Sequence, residues 1–171
     1  IASIQTERYP LHVGDTYLEP ADGCHLSDFS AADHPLVHTY APPRGHPVLL
    51  EAISARHGVD ANRIIVTAGA TGGLGALACG QVDPGEEVLI LSPFWPLIRG
   101  IVQLHHGVPV EVPILGYAGP DDVVDALEAA VSERSVALYI NTPNNPTGRM
   151  FSADVLQAVA AFVRRHDLWL W

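Results

Sequence analysis

Apolar residues along this chain fall into two alternating spacings. Short runs rich in β-branched and aliphatic side chains, at 63–67, 87–91, 108–114 and 136–140, predict buried strands. Between them, apolar residues recur three or four positions apart and predict helices. The helical sets are Leu49, Ala52 and Ile53; Leu74, Leu77 and Ala78; Leu97, Ile98, Ile101 and Val102; Val123, Val124, Leu127, Ala130 and Val131; and Val155, Leu156, Val159, Phe162 and Val163.

Boundary residues agree with these periods. Pro47 suits a first helical turn and Gly58 a C-terminal stop, Asp121 and Asp122 favour the positive end of a helix dipole, and Ser152 is a capping residue. Arg164 and Arg165 fall in the last turn of that final helix, where cations are favoured. Pro109 and Pro113 cannot donate to a ladder, which places the 108–114 strand at a sheet edge.

Strands alternating with helices predict an α/β fold: a mainly parallel sheet sandwiched by helices. Residues 1–39 have no sustained period and are expected to form an N-terminal arm that packs on something else. Residues 40–171 are expected to form the sheet domain. The run from Asp167 to Trp171 is strand-like, and a bare apolar strand edge there predicts that the native chain continues beyond Trp171.

Composition narrows the partners. The 171 residues are 48% hydrophobic and 16% charged, as expected of a globular domain. A formal charge of -10 weighs against nucleic-acid backbones and anionic lipid, so a small molecule is the expected partner. Neither a membrane-spanning run nor a signal-peptide pattern is present in the sequence, and the expected location is cytoplasmic. Cys24 and Cys79 read as reduced thiols, one of them packed. His34 and His38 have a spacing that can serve a metal on a helix, but Pro35 disfavours a helix there, so no metal is expected. All nine basic residues are arginine; the chain has no lysine.

Three predicted element ends carry unusual chemistry. Gly69, Ala70, Thr71 and Gly72 lie between a predicted strand and helix, where backbone N–H groups can cradle a phosphate; glycines there also serve close packing. Trp95 sits between prolines after the second strand and offers a flat face to a planar ring, although an aromatic after a strand more often belongs to a core. The 136–140 strand runs into Asn141-Thr142-Pro143-Asn144-Asn145-Pro146-Thr147-Gly148, in which Asn145 can donate an amide hydrogen bond to a phenolate-like oxygen while Asn141 and Asn144 brace the loop. Phosphate cradle, ring platform and oxygen donor together describe a phosphorylated aromatic cofactor.

With these motifs, from about residue 11 to 171, the sequence resembles the N-terminal portion of pyridoxal 5'-phosphate (PLP) enzymes of fold type I, the aspartate-aminotransferase type of aminotransferase class I/II. The matching segments are Val13-Gly14-Asp15; Tyr40 with Gly45; Val66-Thr67-Ala68-Gly69-Ala70-Thr71-Gly72; Pro84-Gly85-Glu86-Glu87-Val88; Ser92-Pro93-Phe94-Trp95-Pro96; and Pro143-Asn144-Asn145-Pro146-Thr147-Gly148-Arg149. The resemblance implies that Gly69, Ala70 and Thr71 hold the cofactor phosphate, that Trp95 stacks on the pyridine ring and that Asn145 hydrogen-bonds its O3' oxygen. It further implies that Gly14 lies against the substrate carboxylate and that Tyr40 reaches the cofactor phosphate of a neighbouring subunit in a homodimer with shared active sites. Residues 1–39 then become an arm with small-domain and dimer contacts, and 40–171 the first part of a PLP-binding large domain.

Amino-group transfer between an amino acid and a 2-oxo acid is the implied reaction. A lyase or cyclising enzyme, or a non-catalytic sensing domain of a regulator, uses the same fold. The sequence departs from the family at Leu49-Leu50, where Leu-Arg is frequent. In such enzymes the catalytic Lys, the Asp at the pyridine nitrogen and the carboxylate-binding Arg come later than residue 171, so the chain alone is expected to be inactive.

Overall fold

The computed structural model describes residues 18–117 and 119–171. Two compact units meet in sequence between Pro42 and Pro43. In the first, the described residues form two 3-10 turns, Leu26–Asp28 and Ala31–Asp33, neither of which buries a residue. His34 stacks on Phe29 with ring centroids 5.1 Å apart, and His38 is exposed.

The second unit holds four strands, β1 (Glu87–Ser92), β2 (Val108–Pro113), β3 (Ser135–Tyr139) and β4 (Trp169–Leu170), and five helices. The helices are α1 (Pro47–His57), α2 (Gly69–Gln81), α3 (Leu97–Leu104), α4 (Pro120–Ala130) and α5 (Ala153–Arg165). The strands pair in parallel in the order β2-β1-β3-β4, with Leu89 of β1 opposite Val110 of β2 and Leu138 of β3. The proline-bearing strand β2 lies at an edge, as its missing donors require.

Strand periodicity divides the core between two faces. Leu89, Leu91, Val112 and Leu138 face Val123 and Leu127 of α4 and Val155, Val159 and Phe162 of α5. Val88, Ile90, Ala137 and Tyr139 face Ile98 and Val102 of α3, with Leu74 of α2 packed alongside. The mainly parallel sheet sandwiched by helices is therefore observed.

Right-handed crossovers explain which helix covers which face. The chain leaves β1 through α3 and moves to β2; it then returns through α4 to β3 and continues through α5 to β4. Reversing the direction of travel with constant handedness sends α3 to one face and α4 and α5 to the other. The chains leaving the neighbouring strands β1 and β3 thus part to opposite faces, and a crevice forms between them at the carboxyl edge. In open α/β sheets this switch point is where ligands bind.

Three local expectations are corrected. Residues 64–67 form no strand, and Arg63 ends a short 3-10 turn, Ala61–Arg63, capped by the Asp60 side chain. A β-branched run becomes a strand only against a ladder partner, and here the Ile64 amide bonds locally to the Ala61 carbonyl at 3.3 Å while the Val66 amide bonds the Arg44 carbonyl at 2.8 Å. That approach requires glycine at position 45, whose φ is +118° and whose added Cβ would stand 2.6 Å from Val66. On α1 the inward residues are Leu50 and Ile53, with Leu49 facing outward. On α2, Ala78 is buried and Cys79, one position on, is exposed like Cys24, so neither thiol is packed.

Glu87 begins β1 and is 5% exposed. Its carboxylate accepts hydrogen bonds from Ser132 Oγ and from the Arg134 guanidinium, with Ser135 Oγ at 3.3 Å. This pairing closes the amino-terminal edge of the β1–β3 pair. The Ser132 hydroxyl and the Arg134 guanidinium hold the Glu87 carboxyl below the ordinary glutamate pKa, against the opposing effect of burial.

Phe162, fully buried between α5 and the sheet, gives the first expected outcome. Phe162→Ala lowers unfolding free energy by about 3–5 kcal/mol in urea denaturation, and a loss below about 1 kcal/mol contradicts this core. For Glu87, whose folded pKa is depressed, the stabilisation is present above the unfolded glutamate pKa and is lost as pH falls through the folded value. The stability gap between wild type and Glu87→Gln should therefore be widest near neutrality and shrink below about pH 4. A gap constant with pH contradicts the pairing.

Candidate functional site

The crevice at the carboxyl edge is built by three segments. The first is the start of α2. The tight turn of Asp83 to Glu86 joins α2 to β1, so α2 runs antiparallel to the strand. Its 13 residues span about 20 Å at 1.5 Å per residue, matching the roughly 20 Å of a six-residue strand. The α2 N-terminus consequently stands at the carboxyl edge of the sheet.

Gly69 opens that helix with φ +69°, a left-handed conformation that glycine adopts freely, and nothing lies within 4 Å of a Cβ added there. Its amide bonds the Thr67 carbonyl at 2.8 Å, while Thr67 Oγ1 donates to the Gly69 carbonyl at 2.9 Å. Ala68, the preceding residue, provides no side-chain cap. Gly69, Ala70 and Thr71 are exposed and, because the Gly69 amide is engaged by the Thr67 carbonyl, the helix presents the uncapped N–H groups of Ala70 and Thr71 and its positive dipole end to solvent.

The second segment follows β1. Trp95 is half-buried and packs with Phe94 against the α3-side core. Its carbonyl accepts from the Ile98 amide at 3.2 Å, which fixes the entry into α3. Both sequence readings of Trp95 are compatible with this placement, since one part of the side chain packs and the rest stays accessible.

The third segment follows β3. The Asn145 amide N–H donates to Asn141 Oδ1 at 2.7 Å, and Asn145 is exposed. No hydrogen bond engages its side-chain amide among the described residues. Asn144 is buried; it bonds Thr147 within the loop and the Pro93 carbonyl across the crevice. Asn141 and Asn144 therefore brace the loop, leaving the Asn145 amide available to a ligand.

Tyr139, the last residue of β3, is buried, and that burial pushes its phenol pKa up. Tyr40 belongs to the first unit and its side chain is fully exposed. Gly14 lies outside the described residues.

Two ties were not visible in the sequence. The Arg149 guanidinium donates to the Tyr117 carbonyl at 2.7 Å and anchors the loop to the segment before α4. Thr142 Oγ1 accepts from the Phe151 amide at 3.1 Å and closes the loop's base. Arginine and threonine in a polar loop carry no local pattern that would name these distant partners.

A ligand-sized space exists at the opposite edge. A cavity of about 330 Å³ there is lined by Gln81, Asp83, Glu86, Ser135 and Asp167 among others. Three carboxylates and no cation among its lining residues make it hostile to a phosphate. The carboxyl-edge crevice, with uncapped amides, an aromatic face and a free amide, fits a phosphorylated aromatic group. Among the described residues no cluster of His, Cys, Asp and Glu could hold a metal, and no helix is long and apolar enough to cross a membrane.

Comparison with known proteins establishes the family of the chain. The family model for aminotransferase class I and II matches residues 17–171. The probable aspartate/prephenate aminotransferase of Thermus aquaticus is 38% identical over 137 residues, covering 77% of this chain and 36% of that protein. Mouse kynurenine–oxoglutarate transaminase 3 is 33% identical over 147 residues, covering 77% and 32%. Among solved structures, N-succinyldiaminopimelate aminotransferase from Mycobacterium tuberculosis superposes with a TM-score of 0.74 at 37% identity, covering 82% of this chain and 38% of that one. The chain thus spans about a third of the length of these curated relatives.

The left-handed start of α2 sets a stability expectation independent of any ligand. Gly69→Ala should cost about 1–2 kcal/mol through backbone strain alone, since no neighbour crowds the added methyl. Urea denaturation that finds the variant equal to or more stable than wild type contradicts the φ of +69°.

Proposed function

The chain belongs to the aminotransferase class I and II family, and on that premise we propose that the full-length protein is a PLP-dependent aminotransferase. It moves an amino group between an amino acid and a 2-oxo acid, and this chain supplies the cofactor cradle. The observation that supports the proposal is the chemistry of three groups at the start of α2 and after β1 and β3: uncapped helix amides, the half-buried Trp95 and an Asn145 side-chain amide with no partner among the described residues.

Each group has a task that its chemistry suits. The amides of Ala70 and Thr71, with the Thr71 hydroxyl, bind the phosphate dianion, the Gly69 amide joins them by leaving the Thr67 carbonyl, and the α2 dipole favours the charge. Trp95 stacks on the pyridine ring and sets its plane. Asn145 Nδ2 donates to the O3' oxygen and fixes the ring's rotation within that plane. When bound, PLP supplies an electron sink that stabilises carbanion charge at the carbon bearing the amino group.

The amine needed for covalent attachment and proton transfer is absent from these residues, because the chain has no lysine. The proposal assigns it, with the partner of the pyridine nitrogen and the substrate-carboxylate clamp, to the part of the protein outside this chain. Gly14 is assigned to the substrate carboxylate by the family resemblance. Tyr40, whose side chain is fully exposed, reaches the cofactor phosphate of the second subunit in a homodimer with shared active sites. Residues 1–39 are the arm and 40–171 the first part of the large domain. Two free, exposed thiols suit a reducing compartment, which supports a cytoplasmic location.

The full-length protein tests this directly. Added PLP should produce a visible absorption band that borohydride removes, together with amino transfer from an amino acid to a 2-oxo acid. Asn145→Ala should weaken PLP binding about tenfold and shift the band, as expected for losing one hydrogen bond to a charged oxygen. A wild-type protein that binds no PLP overturns the proposal, and an unchanged spectrum in Asn145→Ala returns that loop to a plain turn.

A further inference from the structure

We infer that Asn144 is a positioning residue that locks the Trp95-bearing loop to the Asn145-bearing loop across the switch-point crevice. The consequence for the cofactor rests on the function proposed above; the tie itself does not.

Asn144 is one of only two buried polar or charged residues among those described. The other, Glu87, closes the amino-terminal edge of the β1–β3 pair; Asn144 occupies its carboxyl edge. A buried amide costs free energy unless its donors and acceptor are satisfied. Here they are satisfied from two sides. Oδ1 accepts from the Thr147 hydroxyl at 2.7 Å and the Thr147 amide at 3.3 Å, both within its own loop. Because those two donors fix the oxygen, the Nδ2 group must point the other way, where it donates to the Pro93 carbonyl at 3.1 Å.

The backbone of Asn144 is held as firmly. Its N–H donates to the Arg149 carbonyl at 2.8 Å, and its carbonyl accepts from the Gly148 amide at 2.6 Å. Asn144 thus cannot rotate away from Pro93 without breaking its loop. Among the described residues, the Asn144–Pro93 bond is the one hydrogen bond joining residues 93–96 to residues 141–149. Pro93 lies two residues before Trp95, and Asn144 directly precedes Asn145. The side chain therefore sets the separation between ring platform and oxygen donor, whose loops depart toward opposite faces of the sheet and share no other hydrogen bond among the described residues. A gap set by a rigid bond costs nothing further when a ring enters it, which is the benefit of preorganisation.

Two kinds of variant separate the cross-crevice bond from bracing within the loop. Asn144→Asp keeps an acceptor for Thr147 but turns a carboxylate oxygen toward the Pro93 carbonyl. Asn144→Ser is uncharged and too short to reach Pro93, and it carries the same expectation should the charge in Asn144→Asp impair folding. Thr147→Val removes the hydroxyl bond and leaves Nδ2 on Pro93.

In the full-length protein without PLP, exchange of the Ile98 amide, which bonds the Trp95 carbonyl, should quicken about tenfold in Asn144→Asp and Asn144→Ser and stay within about twofold in Thr147→Val. With PLP, the two Asn144 variants should bind about tenfold more weakly and lose visible circular dichroism of the bound cofactor, while Thr147→Val stays near wild type. Asn144 variants within twofold of wild type in both readouts overturn the inference. So does a Thr147→Val that matches them, since bracing within the loop would then suffice. If the wild type binds no PLP, the functional proposal falls, while the exchange comparison still decides the tie.

Discussion

Constant crossover handedness on a parallel sheet is the constraint from which the rest follows. The chain goes from β1 outward to β2 and then back across to β3 and β4. Under that constraint α3 must cover one face, and α4 and α5 the other. One crevice results, at the carboxyl ends of β1 and β3, and it exists before any side chain is considered. Side chains then decide what it can hold. Glu87 with Ser132 and Arg134 closes the opposite edge, Asn144 spans the crevice, and uncapped amides of α2 come up beside it.

Burial on both faces is what made the sheet legible from the sequence. Glu87 to Leu91 and Val136 to Ile140 are apolar at nearly every position because α3 covers one side and α4 and α5 the other, and the helical stripes register the same two faces. Residues 63–67 have the same β-branched composition and form no strand. Strand identity depends on a ladder partner, which local composition does not record, and the described residues give Val66 only the Arg44 carbonyl. Similarly, the inward residue of α1 is Leu50 rather than Leu49: with two adjacent leucines, period alone leaves the stripe's phase open by one position.

The candidate site was legible in its parts more than in its assembly. Gly69, Trp95 and Asn145 follow or begin regular elements, and turn chemistry singled them out. That Trp95 and Asn145 share one edge follows from the parallel order, which the alternation of elements already implied, whereas Gly69 follows no strand and its place depends on the length and direction of α2. The cross-links that hold them were not legible. Asn144 to Pro93, Arg149 to Tyr117 and Arg134 to Glu87 join residues 51, 32 and 47 positions apart, and each uses a side chain common in any polar loop. Family membership is what turns a phosphorylated aromatic group, which these side chains suit, into the proposal of PLP.

The central claim is that one PLP molecule spans the α2 start, Trp95 and Asn145. A crystal structure of the full-length protein loaded with PLP tests it most directly. Phosphate oxygens are expected within about 2.7–3.2 Å of the amides at the α2 start, the pyridine ring stacked on Trp95, and O3' within the same range of Asn145 Nδ2. A phosphate seated away from the α2 N-terminus, or a ring bound outside the crevice between β1 and β3, would contradict it.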